Sequence, residues 1–127
     1  MLSLVVDIAL ATLCIVTPPN EDAGIPEAKT CYPVLIGKDT PKGEYQLQQW
    51  MTESKGYGGD VLEFKQEGEE VFAIHRVWTL RPWEKRKERL KNPNPQVRRI
   101  THGCINVDPK VYDKLVDCCS TSTLIIK

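Results

Sequence analysis

The sequence lacks the features typical of nucleic-acid-binding, membrane-spanning and zinc-binding proteins. Its formal net charge is zero, so the molecule as a whole has no electrostatic preference for a polyanion such as nucleic acid. The mostly apolar stretch from Met1 to Val16 contains Asp7 and is too short to span a bilayer. There are only two histidines and no Cys-x-x-Cys pair, so the paired ligands of structural zinc are missing. We therefore expect no nucleic-acid partner, no membrane span and no metal.

The N-terminal stretch also lacks the parts of a secretory signal peptide. No basic residue precedes the apolar run, and no small-residue cleavage site follows it cleanly. Its β-branched and apolar residues instead predict strands over Leu2–Asp7 and Thr12–Val16. We expect a mature domain, or a protein that reaches its substrate by another export route.

The five cysteines cannot all pair within one chain, so at least one thiol should be free. Cys104 is our candidate. Cys118 and Cys119 are neighbours and would bridge each other only with strain. Cys14 and Cys31 lie on two predicted neighbouring strands and could pair, but we favour two small, buried apolar residues.

The rest of the chain predicts one mainly β domain with two short helices, which a length of 127 residues suits. Pro82 at a first helical position and the good helix formers from Lys85 to Leu90 predict a first, largely solvated helix. Asp108 as N-cap and Pro109 predict a second helix that packs one face on the core. Further strands are predicted over Lys29–Ile36, Val61–Phe64, Val71–His75 and Thr123–Ile126.

The chemistry of the chain points to Thr101–Asn106, which reads Thr-His-Gly-Cys-Ile-Asn. A cysteine and a histidine brought together in space form a nucleophile and its base. Cys104 supplies the thiol. Two histidines compete for the second role, His75 at the end of a predicted buried strand and His102 beside the nucleophile.

This pattern resembles the catalytic domain of L,D-transpeptidases of the YkuD type. That family carries an upstream histidine, a spacer, and then Ser/Thr-His-Gly-Cys-apolar-Asn. A second stretch, Thr40-Pro41-Lys42-Gly43-Glu44-Tyr45, matches the family's Thr-Pro-x-Gly-x-aromatic segment. The resemblance implies a mainly β, L,D-transpeptidase-like sandwich with two short helices, running from Leu2 to the end of the chain.

The resemblance also implies roles for the motif. Cys104 would be the nucleophile, His75 its base, and His102 a supporting residue. The amides of Gly103 and Cys104 would bind the oxyanion of the intermediate. Thr101 and Asn106 would hold the loop through side-chain to backbone hydrogen bonds.

The implied substrate is a peptidoglycan tetrapeptide stem, from which D-alanine leaves before a 3→3 cross-link forms. Such an enzyme needs no cofactor, is a target of carbapenems, and works in the periplasm or cell wall, and we expect a monomer. Water as acceptor would make it an L,D-carboxypeptidase, and a free D-amino acid would make it an exchange enzyme, either of which could serve as a wall-targeting effector toxin. A binding module without activity is a further alternative, although the complete Cys and His content argues against it.

The spacer between the upstream histidine and the cysteine is longer than the family pattern. His75 and Cys104 are 29 positions apart, and residues 81–99 hold eight basic and two acidic residues, a net charge of +6. We interpret residues 81–99 as an inserted basic flap, in which Trp83, Arg86 and Arg89 bind the carboxylate-rich stem. The alternative is a solvated helix whose charges only aid solubility.

Overall fold

The computed structural model describes all residues from 1 to 127 and has nine strands and two α-helices. Its strands are β1 (Ser3–Asp7), β2 (Thr12–Thr17), β3 (Ala28–Pro33), β4 (Gly43–Gln46), β5 (Gln48–Met51), β6 (Asp60–Glu67), β7 (Glu70–Arg76), β8 (Ile105–Val107) and β9 (Thr123–Ile126). The helices are α1 (Arg86–Lys91) and α2 (Pro109–Cys119), with 3₁₀ turns at Pro82–Glu84 and Pro95–Arg98. The predicted mainly β fold with two short helices is confirmed.

The strands form two sheets. The five-stranded sheet has the order β3-β2-β1-β9-β4, and the four-stranded sheet has the order β5-β6-β7-β8. β1 and β9 are parallel, as are β7 and β8, while the other neighbours are antiparallel. Pro33 ends the edge strand β3, a position where its missing N–H leaves no ladder bond unmade.

One apolar cluster of 18 buried residues joins both sheets and α2. Alternate residues of the strands point into it, as the two-residue period of a half-buried strand requires. Asp108 caps α2 by accepting a hydrogen bond from the Lys110 amide, and Tyr112 and Leu115 on its inner face are fully buried. Neither helix is long and apolar enough to cross a membrane.

The cysteines behave differently from the expectation. Cys14 and Cys31 lie directly opposite each other on β2 and β3 and form a disulfide. The prediction that both are buried apolar residues is wrong, because they lie on the face of the sheet away from the core, where Cys31 is exposed. Cys118 and Cys119 form a second disulfide, so Cys104 is the free thiol, as predicted.

Residues 81–99 are attached to the domain more firmly than a solvated helix would be. Lys85 adopts the left-handed conformation at φ +52° and divides the predicted helix into a 3₁₀ turn and α1. Leu90 packs with Leu35, Val77 and Ile100 in a small second apolar cluster. The buried Arg98 donates hydrogen bonds to the carbonyls of Ala11, Asn92 and Leu10. Most side chains of the predicted helix are exposed, as expected, and Leu90 supplies its apolar side; the buried Arg86 was not expected.

Candidate active site

The parallel pairing of β7 with β8 brings the motif residues to the upstream histidine. Ile74 faces Ile105 across the two strands, and His75 faces Asn106. Both isoleucines belong to the core, so the next pair points to the opposite face of the sheet. Cys104 precedes Ile105 and shares that face with Asn106. The candidate site therefore lies on the outer face of the four-stranded sheet, against residues 81–99.

The loop before Cys104 is held by two threonines. Thr101 Oγ1 donates to the Cys104 carbonyl at 2.6 Å and accepts from the Gly103 amide at 3.1 Å. Thr40 Oγ1 donates to the Gly103 carbonyl at 3.0 Å and accepts from the Gly37 amide at 2.9 Å. The Thr-Pro-x-Gly segment thus fixes the loop before Cys104 through its first residue.

Two glycines allow these loops to touch. Gly103 has φ +139°, and a Cβ there would lie 2.5 Å from a ring carbon of Phe72. A Cβ on Gly37 would lie 1.9 Å from the Thr101 carbonyl oxygen. Both contacts are far too short for a side chain, so each position requires glycine.

The hydrogen bonds of His75 define its tautomer. Its Nδ1 lies 2.7 Å from the Arg76 carbonyl oxygen, which can only accept, so Nδ1 carries the proton and Nε2 carries the lone pair. Asn106 Nδ2 donates to Nε2 at 3.4 Å. Asn106 Oδ1 accepts from the Trp78 amide and from Arg86 Nη1, which fixes the orientation of the Asn106 amide.

His75 and Cys104 are both uncharged in the resting site. Burial lowers the pKa of His75 to about 4, although its hydrogen bond to the Arg76 carbonyl acts in the opposite direction. Burial raises the pKa of the Cys104 thiol, and the charge of Glu70 adds to the effect. At neutral pH the site therefore holds a thiol and a neutral imidazole.

Cys104 lies where two cavities meet. Cys104, His75, Tyr57 and Val71 line both a cavity of about 240 Å³ and a second cavity of about 380 Å³. The Tyr57 ring packs edge-on against His75 with centroids 4.6 Å apart. The Cys104 thiol donates to the Val71 carbonyl, at a distance of 3.7 Å between Sγ and oxygen, and not to His75. Catalytic hydrogen bonds are often loose in an enzyme without substrate.

The predicted site residues separate into two groups. Thr101, His102, Cys104, Asn106, His75 and Arg86 all line the smaller cavity. The side chain of His102 is exposed and makes no hydrogen bond. Trp83 lines no part of the cavity and is 74% exposed. Arg89 donates to the carbonyls of Glu84 and Val97 within its own segment.

Six residues that line this cavity were not predicted as site residues: Tyr57, Glu70, Val71, Phe72, Trp78 and Arg81. Tyr57 lies in a glycine-rich stretch that predicts only a turn. The one sequence feature that could have indicated a site there is a large aromatic side chain among glycines. Trp78 and Arg81 follow β7 without a recognisable pattern. No group of three or more His, Cys, Asp or Glu side chains is arranged to hold a metal ion.

A buried ionic network supports the strand that carries His75. Asp60 accepts hydrogen bonds from Arg76 and Tyr112 at 2.8 and 2.9 Å and from Gln49 at 2.8 Å. Burial alone would raise the pKa of Asp60, but the hydrogen bonds from Gln49, Arg76 and Tyr112 outweigh it and hold that pKa below its usual range. The network fixes Arg76, whose carbonyl orients His75.

The Asp60→Asn protein should be less stable than wild type at neutral pH by about 2 kcal/mol, because a charged acceptor of several hydrogen bonds is lost. The folded-state pKa of Asp60 lies below the unfolded value, so its stabilisation is present above the unfolded pKa and is lost as pH falls through the folded one. Urea unfolding of both proteins should show the difference at pH 7 and a smaller one near pH 3. An equal difference at both pH values would contradict an ionised Asp60.

Comparison with solved structures identifies the fold. No protein-family model matches the chain, and no curated protein matches its sequence. Bd1075 of Bdellovibrio bacteriovorus superimposes with a TM-score of 0.66 at 20% identity, over 99% of this chain and 47% of that one. An L,D-transpeptidase of Mycobacterium smegmatis superimposes with a TM-score of 0.61 at 19% sequence identity, over 99% of this chain and 58% of that one. L,D-transpeptidase 3 of Mycobacterium tuberculosis superimposes with a TM-score of 0.62 at 16% sequence identity, over 99% of this chain and 60% of that one.

This chain therefore spans about half the length of the structures that it matches. The match covers both sheets and the segments between them, since 99% of the chain superimposes. The chain has the fold of the L,D-transpeptidases of the YkuD type.

Proposed function

We propose that the protein is a cysteine-dependent L,D-transpeptidase that acts on peptidoglycan stem peptides. The observation that carries the proposal is the free Cys104 thiol at the junction of two cavities, which it shares with a buried, neutral His75. Acyl transfer between two peptides needs a nucleophile that both a donor and an acceptor can reach.

In the first half of the reaction, Cys104 Sγ attacks the carbonyl carbon at the L-centre of diaminopimelate in a tetrapeptide stem. The thiol proton passes to Nε2 of His75, the ring nitrogen that carries the lone pair and accepts only the long hydrogen bond from Asn106. The carbon–nitrogen bond to D-alanine breaks, and the same proton passes from His75 to the leaving amine. D-alanine departs and a thioester remains on Cys104.

The oxyanion of the tetrahedral intermediate needs backbone donors. The Gly103 amide already donates to Thr101 Oγ1, so we assign Gly103 to the support of the loop. The Cys104 amide is our candidate donor. An oxyanion donor of this kind contributes about 3 kcal/mol to transition-state stabilisation.

In the second half, the side-chain amine of a diaminopimelate in another stem attacks the thioester from the second cavity. The amine loses a proton to His75, the carbon–sulfur bond breaks, and Cys104 takes the proton back as a thiol. The product is a 3→3 cross-link. The separate cavity beyond Cys104 supports a peptide acceptor, with L,D-carboxypeptidase and D-amino-acid exchange as the alternatives.

Incubation with a disaccharide-tetrapeptide, followed by mass spectrometry, tests the proposal. Loss of D-alanine together with dimer formation would support the transpeptidase. Loss of D-alanine without dimers would instead identify an L,D-carboxypeptidase, and incorporation of an added D-amino acid would identify an exchange enzyme. An unchanged substrate would favour a binding module. The same assay with peptidoglycan from other bacteria as substrate tests the alternative that the protein is a toxin directed at their walls.

A carbapenem should acylate wild-type protein once, at Cys104. Its strained β-lactam carbonyl is an acyl donor, and attack by the thiol opens the ring to leave a thioester. The other four cysteines are held in disulfides and offer no thiol. Intact-mass analysis should show one adduct that is absent from Cys104→Ala. An adduct that persists in this variant would place the reactive group elsewhere.

A further inference from the structure

Two arginines from residues 81–99 form one wall of the nucleophile's cavity. Arg81 and Arg86 both line it, and their guanidinium carbons lie 5.8 and 5.1 Å from the centre of the Trp78 ring. Both cations are thus within cation–π distance of one ring that also lines the cavity. Arg86 is 9% exposed and forms a salt bridge with Glu84, the kind of partner that a buried arginine requires.

One nitrogen of the Arg86 guanidinium group, Nη2, has no hydrogen-bond partner. Its Nε binds Glu84 Oε1 at 2.9 Å, and its Nη1 binds Asn106 Oδ1 at 3.0 Å, while Nη2 makes no hydrogen bond. No buried side-chain nitrogen or oxygen in the protein lacks a partner, so Nη2 is accessible. Arg81 forms neither a salt bridge nor a side-chain hydrogen bond. Arg86 Nη2 and the Arg81 guanidinium therefore offer N–H donors without a partner. Glu84 balances the charge of Arg86, whereas the charge of Arg81 has no salt-bridge partner.

The position of Arg86 relative to His75 indicates what these donors bind. Arg86 and His75 are joined through one side chain, because Asn106 accepts from the first and donates to the second. The leaving amine must come to His75 to receive its proton. In a leaving amino acid, the carboxylate is only two bonds from that nitrogen. A terminal carboxylate on the leaving residue would thus lie beside Arg86.

The charges of the cavity agree with this orientation. Glu70 is the one acidic residue that lines the cavity, and it begins β7, five residues before His75. At the rise of an extended strand, the two positions are about 16 Å apart. The cavity is therefore negative at one end and positive at the His75 end, where a carboxylate belongs.

We propose that Arg86, with Arg81 beside it, is a carboxylate subsite that restricts donors to stems with a free C-terminal carboxylate. This subsite rests on the proposed function, because its ligand is the terminal carboxylate of the donor stem. Arg86 acts here as a specificity-determining residue, and the inserted segment supplies it. A guanidinium group suits this role because it is planar and can donate two parallel hydrogen bonds to the two oxygens of a carboxylate.

The test measures binding, so that it does not depend on turnover. Calorimetry on the Cys104→Ala protein should show that a tetrapeptide with a C-terminal carboxylate binds about 10- to 100-fold more tightly than the same peptide with a C-terminal amide, the range for a hydrogen bond between charged groups. Adding Arg86→Gln should bring this ratio close to one. Adding Arg81→Gln should reduce it in part.

Lys87→Gln is the matched control, because it removes an equal charge from an exposed neighbour that does not line the cavity. It should leave the ratio unchanged. A ratio near one in Cys104→Ala alone, or a full ratio in both the Arg81 and Arg86 variants, would overturn the subsite. Thermal melts of each variant check folding, and Arg81→Gln keeps the test valid if Arg86→Gln does not fold. If the ratios behave as expected but wild type releases no D-alanine, the proposed function fails while the subsite stands.

Discussion

The Cys104→Ala protein should release no D-alanine from a tetrapeptide stem and form no cross-linked product. The substitution removes the only free thiol of the chain, which is the group proposed to carry the acyl intermediate. Removing a catalytic nucleophile typically costs several orders of magnitude in kcat, about 10⁶-fold in the best-studied hydrolase. Product formation would be followed by mass spectrometry against wild type at equal concentration.

The same substitution should leave the fold unchanged, which makes the result interpretable. The thiol makes a long hydrogen bond of 3.7 Å to the Val71 carbonyl and one with the Ala73 backbone, while the loop itself is held by Thr40 and Thr101. Thermal melts of the two proteins should therefore agree closely. Product formation at the wild-type rate would overturn the covalent mechanism.

Much of this site was predictable because the signals are local in the sequence. Thr101–Asn106 is a contiguous motif, and a strand-end histidine can be recognised from the apolar residues before it. The capped start of α2 and the edge position of Pro33 also follow from local rules. The Thr-Pro-x-Gly resemblance placed that segment near the cleft. Its contact from Thr40 to Gly103 spans 63 positions and could only be seen in three dimensions.

The misses have a common physical origin, which is long-range contact. Arg86 has the same local sequence context as a solvated helical arginine, and its burial depends on Asn106, 20 positions away. Strand β5 (Gln48–Met51) is exposed throughout and has no alternation to reveal it; it exists because β6 offers an unpaired edge. The Cys14–Cys31 disulfide follows from the register of β2 and β3, which local sequence does not specify.

The uncharged resting pair predicts a particular dependence of wild-type activity on pH. With the pKa of His75 near 4, the base is unprotonated throughout the neutral range. The raised pKa of Cys104 keeps the thiol protonated over the same range. The value of kcat/KM should therefore fall below about pH 5, as His75 takes up a proton, and stay flat through neutrality. A preformed thiolate–imidazolium pair would instead give a bell-shaped profile. Activity would fall at low pH as the thiolate takes up a proton and at high pH as the imidazolium loses one, at the two apparent pKa values of the pair.

Replacing His75 with alanine should slow acylation by about 10²- to 10⁴-fold at pH 7, the usual contribution of a general base. The loss should become smaller as pH rises, because hydroxide then removes the thiol proton that Nε2 would have taken. His102→Ala is the matched control: His102 is exposed and makes no hydrogen bond, so it should lose little activity and keep the wild-type pH profile. Acylation by a carbapenem, followed by intact mass from pH 5 to pH 10, gives both profiles. A loss that shrinks at high pH in His102→Ala and not in His75→Ala would reverse the roles of the two histidines.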